Sequence, residues 1–259
     1  MFELVKIRNN TFMMSVHVTD IGIYRFGKRS AVLIDSGRGR EEEFISFLKE
    51  NDIVPAAVIQ THLHIDHVAC NQLLRKEYQC DIYASADEII HENEGGYIAG
   101  RDALINPDNG ILDISGNRFE IISLPGHSCG HQGVVTPDGV CFLGDAMMSR
   151  DILKYTKMPY HYNIEQAIES MEKIKTLDYP EFVLSHRGIL DRNETIVAAD
   201  ANLKRERQFR KTVESLCGKR ISNGKLTTMF MKEIGITEDK ADIAWVWDTA
   251  LDRVETYRR

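Results

Sequence analysis

The 259-residue chain contains no apolar run of signal-peptide or membrane-span length, and its first ten residues, MFELVKIRNN, already carry charges. This leads to the expectation of a cytoplasmic protein with no membrane contact. It also has no CxxC pair. The five cysteines, Cys70, Cys80, Cys129, Cys141 and Cys217, are odd in number and scattered, which argues against a disulfide framework or a cysteine zinc knot and predicts reduced thiols. Positive charge is in deficit, with a net charge of -7, so the surface as a whole is not built to hold nucleic acid. No Pro/Gly/Ser-rich linker and no repeat interrupts the sequence. With 43% hydrophobic and 27% charged residues, disorder is excluded and a large α/β core is affordable.

Short β-rich runs fill the first part of the chain, at 16–18, 21–26, 31–34, 57–60, 81–84, 119–124, 133–136 and 140–143. Helical stretches at 41–50, 68–78 and 85–92 lie between them, the last opened by a capping box of Ser85 and Glu88. A further helix is expected from Asn163, with Ile164, Ile168, Met171, Ile174 and Leu177 as its apolar stripe. After His186, Arg187 and Gly188 the pattern changes to three helices without strands, at 194–217, 224–234 and 238–257. Thr237 would cap the last one, with Glu238 and Asp239 in its first turn and Ile243, Trp247, Leu251 and Val254 as its packing face. A boundary near 190 divides a domain at 1–190 from a helical region at 191–259. Without a linker, the helices should dock on the main domain. Their apolar faces could equally pack in a homodimer.

The chemistry concentrates at residues 61–67, THLHIDH, directly after the apolar run at 56–59. In extended chain His62 and His64 point to one side and can share an ion. Asp66 and His67 are adjacent and need a turn to serve a second ion. Two ions need more than four side chains. PGHSCGH at 125–131, FLGD at 142–145 and LSHRG at 184–188 supply the rest, each at the end of a strand, where a rigid scaffold positions reactive groups. Isolated histidines such as His17 and His91 are read as packed or solvated.

Together, HxHxDH at 62–67, PGHSxGH around His127, LGD at Asp145 and SHRG at His186 resemble the metallo-β-lactamase superfamily over residues 1–190. The resemblance implies an α/β fold, an αββα sandwich with metals at one edge of two sheets, and here a C-terminal helical extension. It implies that His62, His64 and His127 hold the first metal, Asp66, His67 and His186 the second, and that Asp145 bridges them. It also implies that Asp35, in LIDSG, orients the site. His131 is expected to make supporting hydrogen bonds. The nitrogen and oxygen donors suit two zinc ions first, and also iron or manganese.

A dinuclear metallohydrolase is expected, using a metal-bridging hydroxide on a small ester, thioester or lactone. Asp66 would handle the proton. The glyoxalase II-like and lactonase-like branches share this ligand set, but the lactonases carry a tyrosine three residues after the bridging aspartate, and here that position is Met148. Lys154, Tyr155, Lys157, Tyr160 and His161 are candidate substrate-binding residues. Between Leu203 and Arg220 seven basic residues face Glu206 and Glu214, which motivates a phosphodiesterase or nuclease alternative, although such a run is more often a solvated helix face. A non-hydrolytic iron enzyme such as a persulfide dioxygenase is a third class.

Overall fold

The computed structural model describes residues 2–91, 103–186, 188–217, 221–236 and 244–258. Thr237, Glu238, Asp239, Ile243, Arg187, Lys219, Arg220 and the His91 side chain lie outside the described residues.

Two mixed sheets form. The first has seven strands in chain order: β1 (Val5–Lys6), β2 (Thr11–Val16), β3 (Thr19–Phe26), β4 (Ser30–Ile34), β5 (Val54–Ile59), β6 (Asp81–Ala84) and β7 (Leu104–Ile105). β1 to β4 pair antiparallel, and β4 to β7 parallel. The second sheet runs β8 (Gly110–Ile114), β9 (Asn117–Ser123), β10 (Gln132–Val135), β11 (Val140–Phe142), β12 (Glu181–Leu184) and β13 (Gly188–Asp191). Only β11 and β12 are parallel there. The helices are α1 (Glu41–Glu50), α2 (Ile65–Val68), α3 (Asn71–Tyr78), α4 (Ala86–His91), α5 (Arg150–Tyr155), α6 (Ile164–Ile174), α7 (Arg192–Leu216), α8 (Asn223–Glu233) and α9 (Ala244–Tyr257).

The central strands are apolar runs because both their faces are covered. Ala31 and Leu33 of β4 join Phe44 and Leu48 of α1, whereas Val32 and Ile34 join Phe119, Ile121 and Phe142 of the opposite sheet. In β12, Val183 enters the same inter-sheet core, while Phe182 and Leu184 pack on Ala167, Met171, Ala198 and Ala199 of α6 and α7. Period-two alternation thus feeds two cores from strands such as β4 and β12, and the layers read helix, sheet, sheet, helix.

α7 spans two environments. A capping box of Asp191 and Glu194 starts it. Its first half covers the second sheet, and its second half places Phe209 and Val213 in a core with Leu226 and Phe230 of α8 and Val246, Ala250 and Val254 of α9. Met158 and Ile164 of the main body enter that core, so the tail helices are docked. Among the described residues no helix is long and apolar enough to cross a membrane, and all five cysteines are free.

Three expectations need correction. The residues after Gly188 are not all helical: β13 pairs antiparallel with β12, a four-residue edge strand too short for a periodic signal. The helix expected at 68–78 is two pieces, α2 and α3. Strand β2 ends at Val16, and His17 turns with φ 61.

Candidate metal centre

Both sheets deliver their strand ends to one edge, and backbone bonds tie them there: Asp20 N–H to the Ser185 carbonyl at 2.7 Å and Gln132 N–H to the Thr61 carbonyl at 2.8 Å. β5 ends just before the first motif, and α2 begins inside it, after His64. That turn carries Asp66 and His67 away from the first two histidines.

Two clusters result. Ring nitrogens of His62, His64 and His127 converge, with His62 Nε2 3.0 Å and His127 Nε2 2.9 Å from His64 Nδ1. Asp66, His67, Asp145 and His186 form the second. Asp145 lies between them: its Oδ2 is 3.1 Å from His186 Nε2 and 3.7 Å from His127 Nε2, and its Oδ1 is 3.7 Å from His67 Nε2.

The outer partners fix how these rings present themselves. His67 Nδ1 donates to Asp35 Oδ2 at 2.8 Å, His186 Nδ1 to the Val18 carbonyl at 2.9 Å, and His127 Nδ1 to the Tyr160 carbonyl at 3.2 Å. Thr61 Oγ1 donates to Asp35 and so can accept from His62 Nδ1 at 3.1 Å. Each bond places a proton on the outer nitrogen and turns Nε2 inward, so that a cation displacing any proton there would meet its lone pair. Asp35 thus holds His67 and Thr61 together, from a left-handed backbone with φ 61. His131 accepts the Asp145 N–H at Nε2, 3.0 Å, and burial lowers its pKa to about 3, so it acts as a neutral acceptor.

Electrostatics separate the clusters. Burial, and then their mutual repulsion, holds His62 well below the usual imidazole range, and burial likewise lowers His64 and His127. For His67 burial acts downward too, but the Asp35 and Asp145 charges outweigh it and hold the pKa well above that range. His186, against the same burial, is raised to about 9 by its bond to Asp145. Asp145 is held far down, despite burial, by His67 and His186. Among the described residues, His67 Nε2 and Asp145 Oδ1 are buried without a hydrogen-bond partner. Buried polar atoms are normally satisfied. Orphaned atoms facing one another, beside three neutral ring nitrogens, fit a pair of divalent cations bound by nitrogen and oxygen.

Two glycines are required by close approach. A Cβ at Gly126 would sit 2.2 Å from the Ala167 backbone nitrogen, and one at Gly144 would sit 2.6 Å from His131 Nε2; both have positive φ. The PGH and LGD loops therefore pack as only glycine allows.

One residue of the site escaped the sequence reading. Glu88, expected to close a capping box with Ser85, instead buries its carboxylate between the ligand loops, accepting from Leu63 N–H at 2.9 Å, Gly130 N–H at 2.8 Å and Ser128 Oγ at 2.5 Å. Its capping spacing pointed to α4, and only the fold shows these partners.

In front of the clusters opens a pocket of about 740 Å³, floored by His127, Asp145 and His186. One wall is the β2–β3 hairpin with Ser15, His17, Val18 and Asp20, and the other is α5 and its loop. Of the five candidate substrate-binding residues, Tyr155 and Tyr160 line this pocket. The other three do not. Lys154 is exposed and pairs with Asp151 at 2.6 Å, and Lys157 is exposed outside the wall. His161 is buried beneath the loop with Nε2 3.8 Å from Glu206.

A family model described as the metallo-beta-lactamase superfamily matches residues 15–186. Among curated proteins, hydroxyacylglutathione hydrolase GloC of Haemophilus influenzae is 30% identical over 138 residues, covering 48% of this chain and 65% of that protein. A hydroxyacylglutathione hydrolase of Prochlorococcus marinus is 28% identical over 205 residues, covering 78% and 77%. The chain spans 53% to 65% of the length of the first curated relatives it matches. Among solved structures, a beta-lactamase domain protein from Burkholderia ambifaria superposes with TM-score 0.75 at 12% identity, covering 98% of this chain and 87% of that one. A metallo-beta-lactamase family protein from Thermus thermophilus gives 0.69 at 14%, covering 93% and 88%.

Proposed function

This chain belongs to the metallo-beta-lactamase superfamily, and from that premise we propose that it is a dinuclear metal-dependent hydrolase of thioesters and related small acyl esters. The observation that carries this reading is the pair of clusters meeting at Asp145, with two buried polar atoms left without partners. The names of the curated relatives favour a thioester over an oxygen ester or a lactone.

In this reading His62, His64 and His127 hold one cation, Asp66, His67 and His186 hold the other, and Asp145 serves both. Zinc suits the donor set, as do iron and manganese. Bound there, the cations supply Lewis acidity, lowering the pKa of water toward neutrality and polarising the acyl oxygen.

The chain's own groups do the remaining work. Asp66, whose Oδ2 accepts from Thr19 Oγ1 at 3.3 Å, takes the proton of the attacking water and returns it to the departing sulfur. Asp35, the Val18 carbonyl and the Tyr160 carbonyl keep His67, His186 and His127 aimed inward. The pocket walls hold the acyl carbon over the floor and exclude competing water.

The nuclease alternative loses part of its motive. Arg205 of the basic run donates to the carbonyls of Leu153, Thr156 and Lys157, and Arg210 pairs with Glu214. The test is metal content by elemental analysis, together with thioester, lactone and phosphodiester turnover by wild type and Asp145→Ala. Two ions per chain, with thioester turnover that the substitution abolishes, is the expected result. One iron per chain with oxygen uptake would replace the hydrolase by an oxygenase.

A further inference from the structure

The relatives act, by name, on a thioester of glutathione, a peptide thiol bearing two carboxylates. Recognising such a thiol takes cations on the pocket wall, because a carboxylate leaving water needs charge-assisted partners. Among the described residues no lysine or arginine lines this pocket, and its basic groups are the imidazoles of His17 on the wall and of His127 and His186 on the floor. Of the basic side chains nearby, Lys154 pairs with Asp151 and Arg205 donates to three backbone carbonyls, while Lys157 is exposed outside the wall.

What does line the walls is mostly apolar, with Ser15, His17, Thr156 and the carboxylate of Asp20 among its polar groups. Val18 faces the pocket from the hairpin, and Met148, Ile152, Met158 and Pro159 from the other side. Tyr155 and Tyr160 add ring faces with phenol hydroxyls that can bond a neutral amide. Asp20, 7% exposed, puts a carboxylate into the hairpin wall with Ser15 Oγ donating to it. An incoming carboxylate would meet like charge and hydrocarbon. An amide-bearing or aliphatic thiol would meet complementary chemistry.

We propose that the pocket selects thioesters of an uncharged, amide-bearing or aliphatic thiol and rejects those of an anionic peptide thiol. The proposal rests on the hydrolase reading above. Water adds its oxygen to the acyl carbon, the C–S bond breaks, and the sulfur leaves with the electron pair and takes up a proton, giving a carboxylic acid and a neutral thiol.

The experiment compares lactoyl-pantetheine with lactoyl-glutathione on the full chain, so that the acyl group and the scissile bond are the same and only the thiol's charge differs. kcat/KM at least about tenfold higher for the pantetheine ester is expected. Equal values, or a preference for the glutathione ester, would overturn the proposal. Calorimetric binding of S-hexyl-pantetheine and S-hexyl-glutathione gives a second readout that needs no turnover. If neither ester is cleaved, the hydrolase reading fails while this ratio still decides the pocket's chemistry, tighter pantetheine binding supporting it and tighter glutathione binding sinking it. Ile152→Arg, which puts a cation on the wall, should shift both ratios toward glutathione by about threefold or more. An unmoved ratio in that variant counts against the assignment.

Discussion

Two buried polar clusters sit one residue apart along the chain and are opposite in design. At Tyr160 the carbonyl accepts from His127 of the metal-site cluster. At Pro159 the carbonyl accepts from Arg253 Nη2 at 2.9 Å. Arg253, fully buried, also gives Nη2 and Nε to the two oxygens of Glu206 at 2.6 and 3.1 Å and Nη1 to the Thr249 carbonyl, while Tyr257 donates its hydroxyl to Glu206 at 2.9 Å. Carboxylate and guanidinium there are satisfied within the protein. In the other cluster, His67 Nε2 and Asp145 Oδ1 are not. His161 Nδ1 and Thr249 Oγ1 beside the Arg253–Glu206 pair are also buried without partners, so the contrast lies in the charged groups. A carboxylate and guanidinium closed on each other hold structure, whereas a facing imidazole and carboxylate left open fit completion from outside. The Arg253–Glu206 cluster braces the loop that walls the pocket through the Pro159 carbonyl, and α7 also grips that wall directly, through Arg205 on the Leu153 and Thr156 carbonyls and Asn202 on Met148.

The sharpest test of the contrast is Asp145→Ala. Turnover should fall by about a thousandfold or more, since both clusters lose their shared oxygen donor. Its melting temperature as metal-free protein should fall only modestly, because among these groups Asp145 gives up one side-chain bond, to His186 Nε2 at 3.1 Å, while the paired core elsewhere is untouched. A large drop in stability with metal content preserved would erase the distinction.

Glu206→Ala and Arg253→Met should do the reverse. Each leaves a buried charge without its partner and should cost about 3–5 kcal/mol in urea unfolding, with metal content kept. The double variant Glu206→Leu with Arg253→Met should lose less than either single change. Loss of both metals in these variants would show that the two clusters are one unit.

Asp35→Asn is intermediate. It keeps the shape of the Asp35 side chain but weakens the grip on the His67 proton, so metal affinity should fall about 10–100-fold by competition with a chelator while the fold survives. Unchanged affinity would remove Asp35 from the site.

The smallest effect is a pH dependence. Burial pushes the Glu206 pKa up, but Arg253 more than offsets this and leaves it below its ordinary value. A carboxylate with a depressed folded pKa contributes stability that is fully present above its unfolded value and is lost as pH falls through the folded one. Urea midpoints of wild type should therefore drop below about pH 4.5, and Glu206→Gln should flatten that limb. A limb of equal slope in the variant would assign acid sensitivity to other groups.

Residues that act through local spacing were legible in the sequence. The HxHxDH turn, the ligands at strand ends, and helices such as α1 and α6, whose Asn163 accepts from Gln166 N–H, are encoded within a few positions. Side-chain direction was not legible: of the candidates that follow Asp145 in sequence, Tyr155 and Tyr160 line the pocket, while Lys154 is exposed with Asp151 and His161 lies against Glu206. Glu88 has its partners about 25 and 40 residues away, beyond any local pattern.

By itself, then, the sequence determined most strands and helices and which side chains could converge on metals, because motif spacing and period-two alternation are short-range properties of the chain, while the sandwich was implied by the resemblance those motifs carry. Only the tertiary structure decided that Glu88 joins two of the ligand loops, that Arg253 closes on Glu206, that Gly188–Asp191 extends a sheet, and that among the described residues no lysine or arginine lines the pocket. Each of these depends on which distant segments meet, and burial turns that meeting into a choice between satisfied and open polar groups.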